Sequence, residues 1–291
     1  MPAAPALTVA DRIRERFDKL TRAERKLAAS ILADYPASGL GGIAAIADSA
    51  DVSPPTVVRM GKKIGFGSFP EMQAALRGEV RATISDPIAK HDRWAVDAPA
   101  AHILNRFAAA VTANIRWTLR LMDHRRFNDA AALLADRKRA AHVVGGRLTR
   151  SLADYFFTHL QVIRGNVTLI APNANIWPHY ALNIKKDDII VVFDVRRYER
   201  DTLRLAETAR RQKALIILFT DQWGSPIAKH SAHSFHARIE VPSAWDSSVA
   251  SLMIVESLLA AVETSLWKST RHRIKTLENL YDQTGMFQKS P

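Results

Sequence analysis

The run Ser53-Pro54-Pro55-Thr56-Val57-Val58-Arg59-Met60-Gly61-Lys62-Lys63 alternates apolar and cationic residues at helical spacing. Ser is a favoured N-cap and Pro is tolerated in a first turn, so a helix is expected to open at Ser53. Val57, Met60 and Ile64 then face a core, while Thr56, Arg59, Lys62 and Lys63 face outward. That face suits DNA: Arg grips guanine with two hydrogen bonds, and Lys neutralises phosphate oxygens. Thr56 and Arg59, with Ser53 beside them, are the expected base readers. Lys62, Lys63 and Ser68 of the loop Gly65-Phe66-Gly67-Ser68 are the expected phosphate contacts. A solvated helical hairpin with a basic face has the same composition, so the surrounding pattern decides.

Other clusters are weaker. His230, His233 and His236 stand three apart, a spacing that could bring pairs onto one helix face for a metal. Their segment runs into a strand candidate, which scatters the imidazoles, and no metal site is expected. His179, Glu199 and Asp194 are available to acid/base chemistry but form no recognisable catalytic constellation, so no catalytic residue is assigned. The chain has no Cys, which excludes disulfides, thiolate nucleophiles and Cys-based metal centres. No cofactor is expected.

The elements that must position the cationic helix are themselves legible. From Ala10 to about Ala82 the pattern is helical throughout, with Ile13, Phe17 and Leu20, then Leu27, Ile31 and Leu32, at three- and four-residue spacing. Thr21 and Glu24 have capping-box spacing, which starts a helix near Arg22. Ile43–Ala50 makes a short helix and Ala50-Asp51-Val52 a tight turn before the cationic helix, giving a helix-turn-helix. The segment 83–99, with Ser85-Asp86-Pro87 and Asp97-Ala98-Pro99, reads as a linker with at most one helical turn. Ile103, Phe107, Val111, Ile115, Leu119 and Met122 then make one apolar stripe on a helix, facing either the second domain or a partner chain.

Beyond Ala140 the rhythm changes. AHVVG, NVTLI, DIIVVF, ALIILF and HARIEV are strand candidates roughly a helix apart, with helices expected over 149–164, 200–212 and 249–266. Such alternation predicts five parallel strands with helices on both faces. The expected architecture is an all-α helix-turn-helix domain over residues 1–82, the linker, and a three-layer α/β/α domain over 100–291.

Leu20-Thr21, Glu24-Arg25-Lys26-Leu27-Ala28, Val52-Ser53, Thr56-Val57-Val58-Arg59 and Lys62-Lys63-Ile64-Gly65-Phe66 together resemble the RpiR-type helix-turn-helix. In that family this domain precedes a sugar isomerase (SIS) domain that binds phosphosugars, and the order of elements here matches. The resemblance implies ligand contacts from loops after the first and third strands. The family's first loop reads Gly-x-Gly-x-Ser; here Gly145-Gly146-Arg147-Leu148-Thr149 keeps one glycine and a hydroxyl. Its second reads Ser-x-Ser-Gly-x-Thr; here Phe193-Asp194-Val195-Arg196-Arg197-Tyr198 replaces the hydroxyl cradle with two guanidiniums and a phenol. Arg presents a fork of donors to phosphate or carboxylate, so Arg147, Thr149, Arg196, Arg197 and Tyr198 are the expected effector contacts, with Ser247 before the last helix. The alternative is a filled, ligand-free pocket in which Asp194, Glu199 and Asp201 pair with the arginines.

With 291 residues, a formal charge of +12 and 47% hydrophobic residues, the chain has the size of two soluble domains and favours a polyanionic partner. No signal peptide and no membrane-spanning run is recognised, and a cytoplasmic location is expected. The expected function is a transcription regulator, most simply a repressor, bound to a double-stranded DNA operator. Its SIS-like domain is expected to sense a small anionic carbohydrate-derived metabolite, a phosphosugar being one member of that class. A homodimer or homotetramer is expected, because two-fold repetition multiplies the few contacts of one helix-turn-helix. The competing readings are a sugar-phosphate isomerase and a ligand-free DNA-binding dimer, with Leu252, Val255, Leu259, Val262 and Leu266 supplying an apolar face.

Overall fold

The computed structural model describes residues 7–33, 35–84, 87–96 and 102–287. The N-terminal part is helical: α1 (Val9–Arg16), α2 (Arg22–Ala33), α3 (Ile43–Ser49), α4 (Pro54–Lys63) and α5 (Phe69–Ile84). Their apolar stripes close on one core that includes Ile13, Leu27, Ile31, Val57, Met60 and Leu76. The expected capping box is present at α2: Glu24 Oε2 accepts from the Thr21 amide at 2.8 Å, and Thr21 Oγ1 from the Glu24 amide at 3.4 Å. The turn between α3 and α4 places Asp51 at φ 48°, a left-handed conformation that Asp tolerates better than most residues.

The segment expected to be a linker is more ordered than its turn residues suggest. Helix α5 runs past 82 to Ile84, and α6 (Pro87–Val96) occupies most of the rest. Pro87 ends up at the start of that helix, where its missing N–H costs nothing. Ser85, Asp86 and residues 97–101 lie outside the described residues.

Two helices, α7 (Ile103–Arg120) and α8 (His124–Ala135), lead into the α/β part. There follow β1 (Ala141–Gly145), α9 (Arg150–Ile163), β2 (Val167–Leu169), α10 (Trp177–Ala181), β3 (Ile189–Phe193), α11 (Arg200–Arg211), β4 (Leu215–Asp221), β5 (His233–Ala237) and α12 (Val249–Thr284). All five strands pair in parallel in the order β2-β1-β3-β4-β5. Alternate residues feed two cores. Val143, Val191, Ile217 and Phe235 meet α8, α9 and α12 on one face. Val144, Ile190, Val192 and Leu218 meet α10 and α11 on the other. Phe193 and Phe219 stack at 4.6 Å between centroids, which fixes the central strands beneath the site.

Three expectations need correction. The last strand is His233–Ala237 rather than HARIEV, because His233 pairs with Ile217 and Ala237 with Asp221, which leaves Ile239 and Val241 beyond the sheet. The apolar stripe on α7 is only in part its buried face: Ile115 and Met122 pack against the α/β core, but the fully buried residues are Asn114 and Thr118, and Ile103 and Leu119 are about half exposed. The reason is that α7 lies along β5, where Asn114 donates to the Glu240 carbonyl and Thr118 accepts from the Arg238 amide. Finally, α12 runs well past 266, to Thr284.

Among the described residues, polar contacts tie the helical part to the α/β part at two places. Near β5, Asp11 pairs with Arg238, Glu15 with Arg120 at 2.6 Å, and Arg14 Nη2 meets His236 Nδ1 at 3.4 Å. The second tie lies beside the candidate ligand cleft.

Candidate DNA-binding helix and effector cleft

Helix α4 presents its cations unevenly. Arg59, Lys62, Lys63 and Ser53 are exposed, but Thr56 is only 4% exposed and does not face outward as expected. Its position directly after the two prolines turns it back toward Ser53, whose Oγ lies 2.9 Å from Thr56 Oγ1. Arg59 Nη2 donates to the same Thr56 Oγ1 at 3.1 Å. Thr56 Oγ1 therefore serves as an acceptor that orients Arg59, and its hydroxyl is not displayed on the outer face. Ser53 sits at the N-cap position, yet its hydroxyl bonds Thr56 and caps no amide.

Lys63 is likewise not a free phosphate contact. Its ammonium pairs at 2.7 Å with Glu24, whose carboxylate is buried. Burial raises the Glu24 pKa, but the Lys63 and Thr21 bonds outweigh it and leave it below the ordinary value. In the loop, Ser68 Oγ caps α5 by accepting from the Glu71 amide at 3.3 Å, and Glu71 Oε2 takes the Gly67 amide at 2.7 Å. Gly65 has φ 94°, and a β-carbon there would come within 2.8 Å of the Arg16 guanidinium. Arg12 and Arg16, not singled out by sequence reading, bond the Gly65 and Lys63 carbonyls and add charge beside the C-terminal end of α4.

In the order β2-β1-β3-β4-β5 the direction in which strands are added reverses between β1 and β3, and such switch points open a crevice at the carboxyl ends of the strands. A cleft of about 730 Å³ lies there. Arg147 and Thr149 from the first loop, Arg196 and Arg197 from the second, and Ser247 before α12 all line it. Their roles differ. Thr149 accepts from the Gly146 amide at 2.9 Å and donates to the Phe193 carbonyl at 2.7 Å, so it clamps the first loop to β3. Ser247 Oγ accepts from the Val249 amide at 3.3 Å at the head of α12. Arg147 and Arg197 are exposed, and neither guanidinium has a partner among the described residues.

Arg196 is buried and ion-paired. Its Nε and Nη2 donate to Asp246 at 2.9 and 2.7 Å, and its Nη1 donates to the Ala82 carbonyl of α5 at 2.6 Å. Burial disfavours its charge, but Asp246 more than compensates and raises its pKa. Lys90 of α6 pairs with Asp246 at 2.5 Å, although burial lowers its pKa overall. Asp246 thus joins the cleft to α6 directly and to α5 through Arg196.

Tyr198 does not line the cleft. Its hydroxyl donates to Asp221 Oδ1 at 2.8 Å beneath the sheet's end, and burial with the Asp221 charge raises its pKa well above the ordinary value. Asp194 and Glu199 pair with none of the arginines' side chains. Asp194 accepts from Ser225 Oγ and from the Glu199 amide, and burial lifts its pKa to about 7. Sequence reading missed Lys90, Asp246 and Ser251; the two former carry a signal only when α6 is known to reach the loop before α12. His230, His233 and His236 are split between a 3₁₀ turn and β5, and no group of three or more metal-ligating side chains gathers among the described residues.

A helix-turn-helix on a parallel α/β domain with a ligand-sized cleft at its switch point defines a DNA-binding transcription regulator. Residues 7–83 match the rpiR-family helix-turn-helix domain, and 133–261 match the SIS domain. The chain belongs to the RpiR family of transcriptional regulators. Among curated relatives, the HTH-type transcriptional regulator HexR of Pseudomonas aeruginosa is 27% identical over 76% of this chain and 75% of its own. HexR of Escherichia coli is 24% identical over 87% and 86%. Two solved structures share the fold. The sugar isomerase domain of an RpiR transcription factor from Sphaerobacter thermophilus has TM-score 0.56 and 20% identity, over 60% of this chain and 97% of that one. The Vibrio vulnificus NanR protein complexed with ManNAc-6P has TM-score 0.55 and 15% identity, over 95% and 99%. The relatives are regulators, and this chain is a regulator, not an isomerase.

Proposed function

We propose that the cleft of the SIS domain binds a small anionic, carbohydrate-derived effector and that occupancy changes operator affinity through Asp246. The observation that carries this reading is the shared carboxylate: Asp246 holds Arg196 of the second loop and Lys90 of α6 at once, while Arg196 holds the end of α5. An effector anion competing with Asp246 for either cation loosens that tie and frees the helix-turn-helix to move. Coupling of this kind needs an effector that binds two states unequally, and it typically amounts to about 5–150-fold in affinity. The NanR structure, solved with ManNAc-6P, supports a ligand in this fold.

The base contact is assigned to Arg59, oriented by Thr56, with Lys62 on phosphate. The regulator acts as a cytoplasmic homodimer on a palindromic operator, and repression is the simplest sign. The half-exposed Ile103 and Leu119 of α7 support an association surface. The test is a titration of the protein against DNA from its own promoter region with competitor DNA, repeated with a panel of sugar acids, amino sugars and phosphosugars. A specific complex whose affinity shifts at least fivefold with one compound supports the reading. A specific complex indifferent to the whole panel overturns the effector role.

A further inference from the structure

We propose that Glu199 closes the head of α9 to phosphate and makes it a seat for a hydrogen-bond donor on the effector, a hydroxyl or an ammonium group. The inference rests on the effector reading of the cleft and specifies which end of the effector goes where.

Glu199 is the N-cap residue of α11, yet its side chain makes no bond to its own helix. It crosses to the first loop, where Oε1 accepts from the Arg147 amide at 2.7 Å, just before α9 begins. A helix N-terminus attracts an anion through its free amides and its dipole. Here the protein's own carboxylate sits on the Arg147 amide, three residues ahead of the first residue of α9, and supplies that anion. The approach depends on Gly146, since a β-carbon there would stand 2.8 Å from Glu199 Oε1. Glu199 forms no ion pair with any described cation, so its charge faces the cleft uncompensated by a side chain. Asp194 lies close behind, its carboxyl accepting from the Glu199 amide. A phosphate brought to the Arg147 amide meets the Glu199 carboxylate at contact distance.

A second, independent feature points to a ligand at this place. Ser251 of α12 is 2% exposed and lines the same cleft, and its hydroxyl has no partner among the described residues. On this proposal a polar group of the effector is the partner that this cleft-lining hydroxyl takes. The unpartnered guanidiniums of Arg147 and Arg197 lie on the same cleft and suit the effector's anionic group. The ligand class is therefore a polyhydroxylated or amino-substituted small anion, with its donors toward Glu199 and Ser251 and its charge toward Arg147 and Arg197.

The test is calorimetric titration of the full chain with inorganic phosphate, comparing wild type with Glu199→Gln and Glu199→Thr after thermal melting shows that each is folded. Both variants are expected to bind phosphate at least tenfold more tightly than wild type. Phosphate affinity unchanged or weakened by both substitutions overturns the seat. Should either variant fold poorly, a crystal of wild type soaked in phosphate decides: Glu199 still on the Arg147 amide supports the proposal, and a phosphate there overturns it. Operator titrations on the same proteins keep the two ideas apart. An operator complex indifferent to all small molecules removes the effector role, whereas unchanged phosphate affinity removes the seat alone.

Discussion

At the residue scale, the proposed DNA readout rests on fewer side chains than α4 carries, because Thr56 is buried and Lys63 is paired with Glu24. Arg59→Ala is expected to relax sequence preference by about 1–3 kcal/mol at one base pair, the worth of a bidentate contact. Lys62→Ala should weaken binding evenly across sequences and lower the salt slope by about one. Binding curves on operator and scrambled DNA at several salt concentrations separate the two, and loss of affinity for both DNAs alike in Arg59→Ala would contradict the assignment. The cationic face of α4 was legible because charge and helical period sit in the chain itself. The burial of Thr56 and the Lys63–Glu24 pair were not, because each depends on a partner whose distance is set by folding.

Asp194 offers a pH test at the same scale. Burial holds its carboxyl at about 7, well above an unfolded value near 4. The folded chain then binds this proton more tightly than the unfolded chain does. The contribution is fully present below about pH 4 and is lost as pH rises through 7. At 1.36 kcal/mol per unit the loss reaches up to about 4 kcal/mol. Asp194→Asn keeps an acceptor and a donor for the Glu199 amide and Ser225 but cannot ionise. Its melting temperature relative to wild type should therefore climb between pH 4 and 7, and a difference flat in pH contradicts the shifted carboxyl.

At the element scale, the sequence disclosed periods better than contacts. Five parallel strands follow from apolar runs spaced by helices, yet β5 starts earlier than its most apolar residues, because pairing with β4 sets the register. The long α12 was seen only in its apolar first half, since Arg271 to Thr284 lacks a buried stripe. Arg164 was not singled out at all, although it organises the end of α8. Its guanidinium is buried and donates to the Leu134, Asp136, Arg139 and Gly165 carbonyls. These include orphan acceptors of a helix C-terminus, where a cation is favoured. Arg164→Met should cost about 3 kcal/mol in chemical denaturation, because several buried carbonyls lose their donor at once. A cost under about 1 kcal/mol would mean that water replaces the guanidinium.

For the whole molecule, the proposed coupling requires the cleft and the helix-turn-helix to share a wall. Nothing local in Lys90 or Asp246 announces this, since 156 residues separate them. The two loops flagged by their glycines and arginines do reach the cleft, but the family's hydroxyl cradle is replaced by Arg196 turned inward to Asp246 and by Glu199 turned to the first loop. A ligand signal changes DNA binding only if it alters a contact that both parts use, and Asp246, which holds Arg196 and Lys90, is the proposed one because it lines the cleft.

The most direct measurement is therefore the operator affinity of Asp246→Asn beside wild type, each with and without the effector found in the panel titration. The account predicts that the amide variant, unable to pair with Arg196 and Lys90 as an anion, shifts at least fivefold toward the effector-bound affinity and scarcely responds to further effector. An Asp246→Asn protein that binds operator like wild type and responds to the effector as fully would contradict the account.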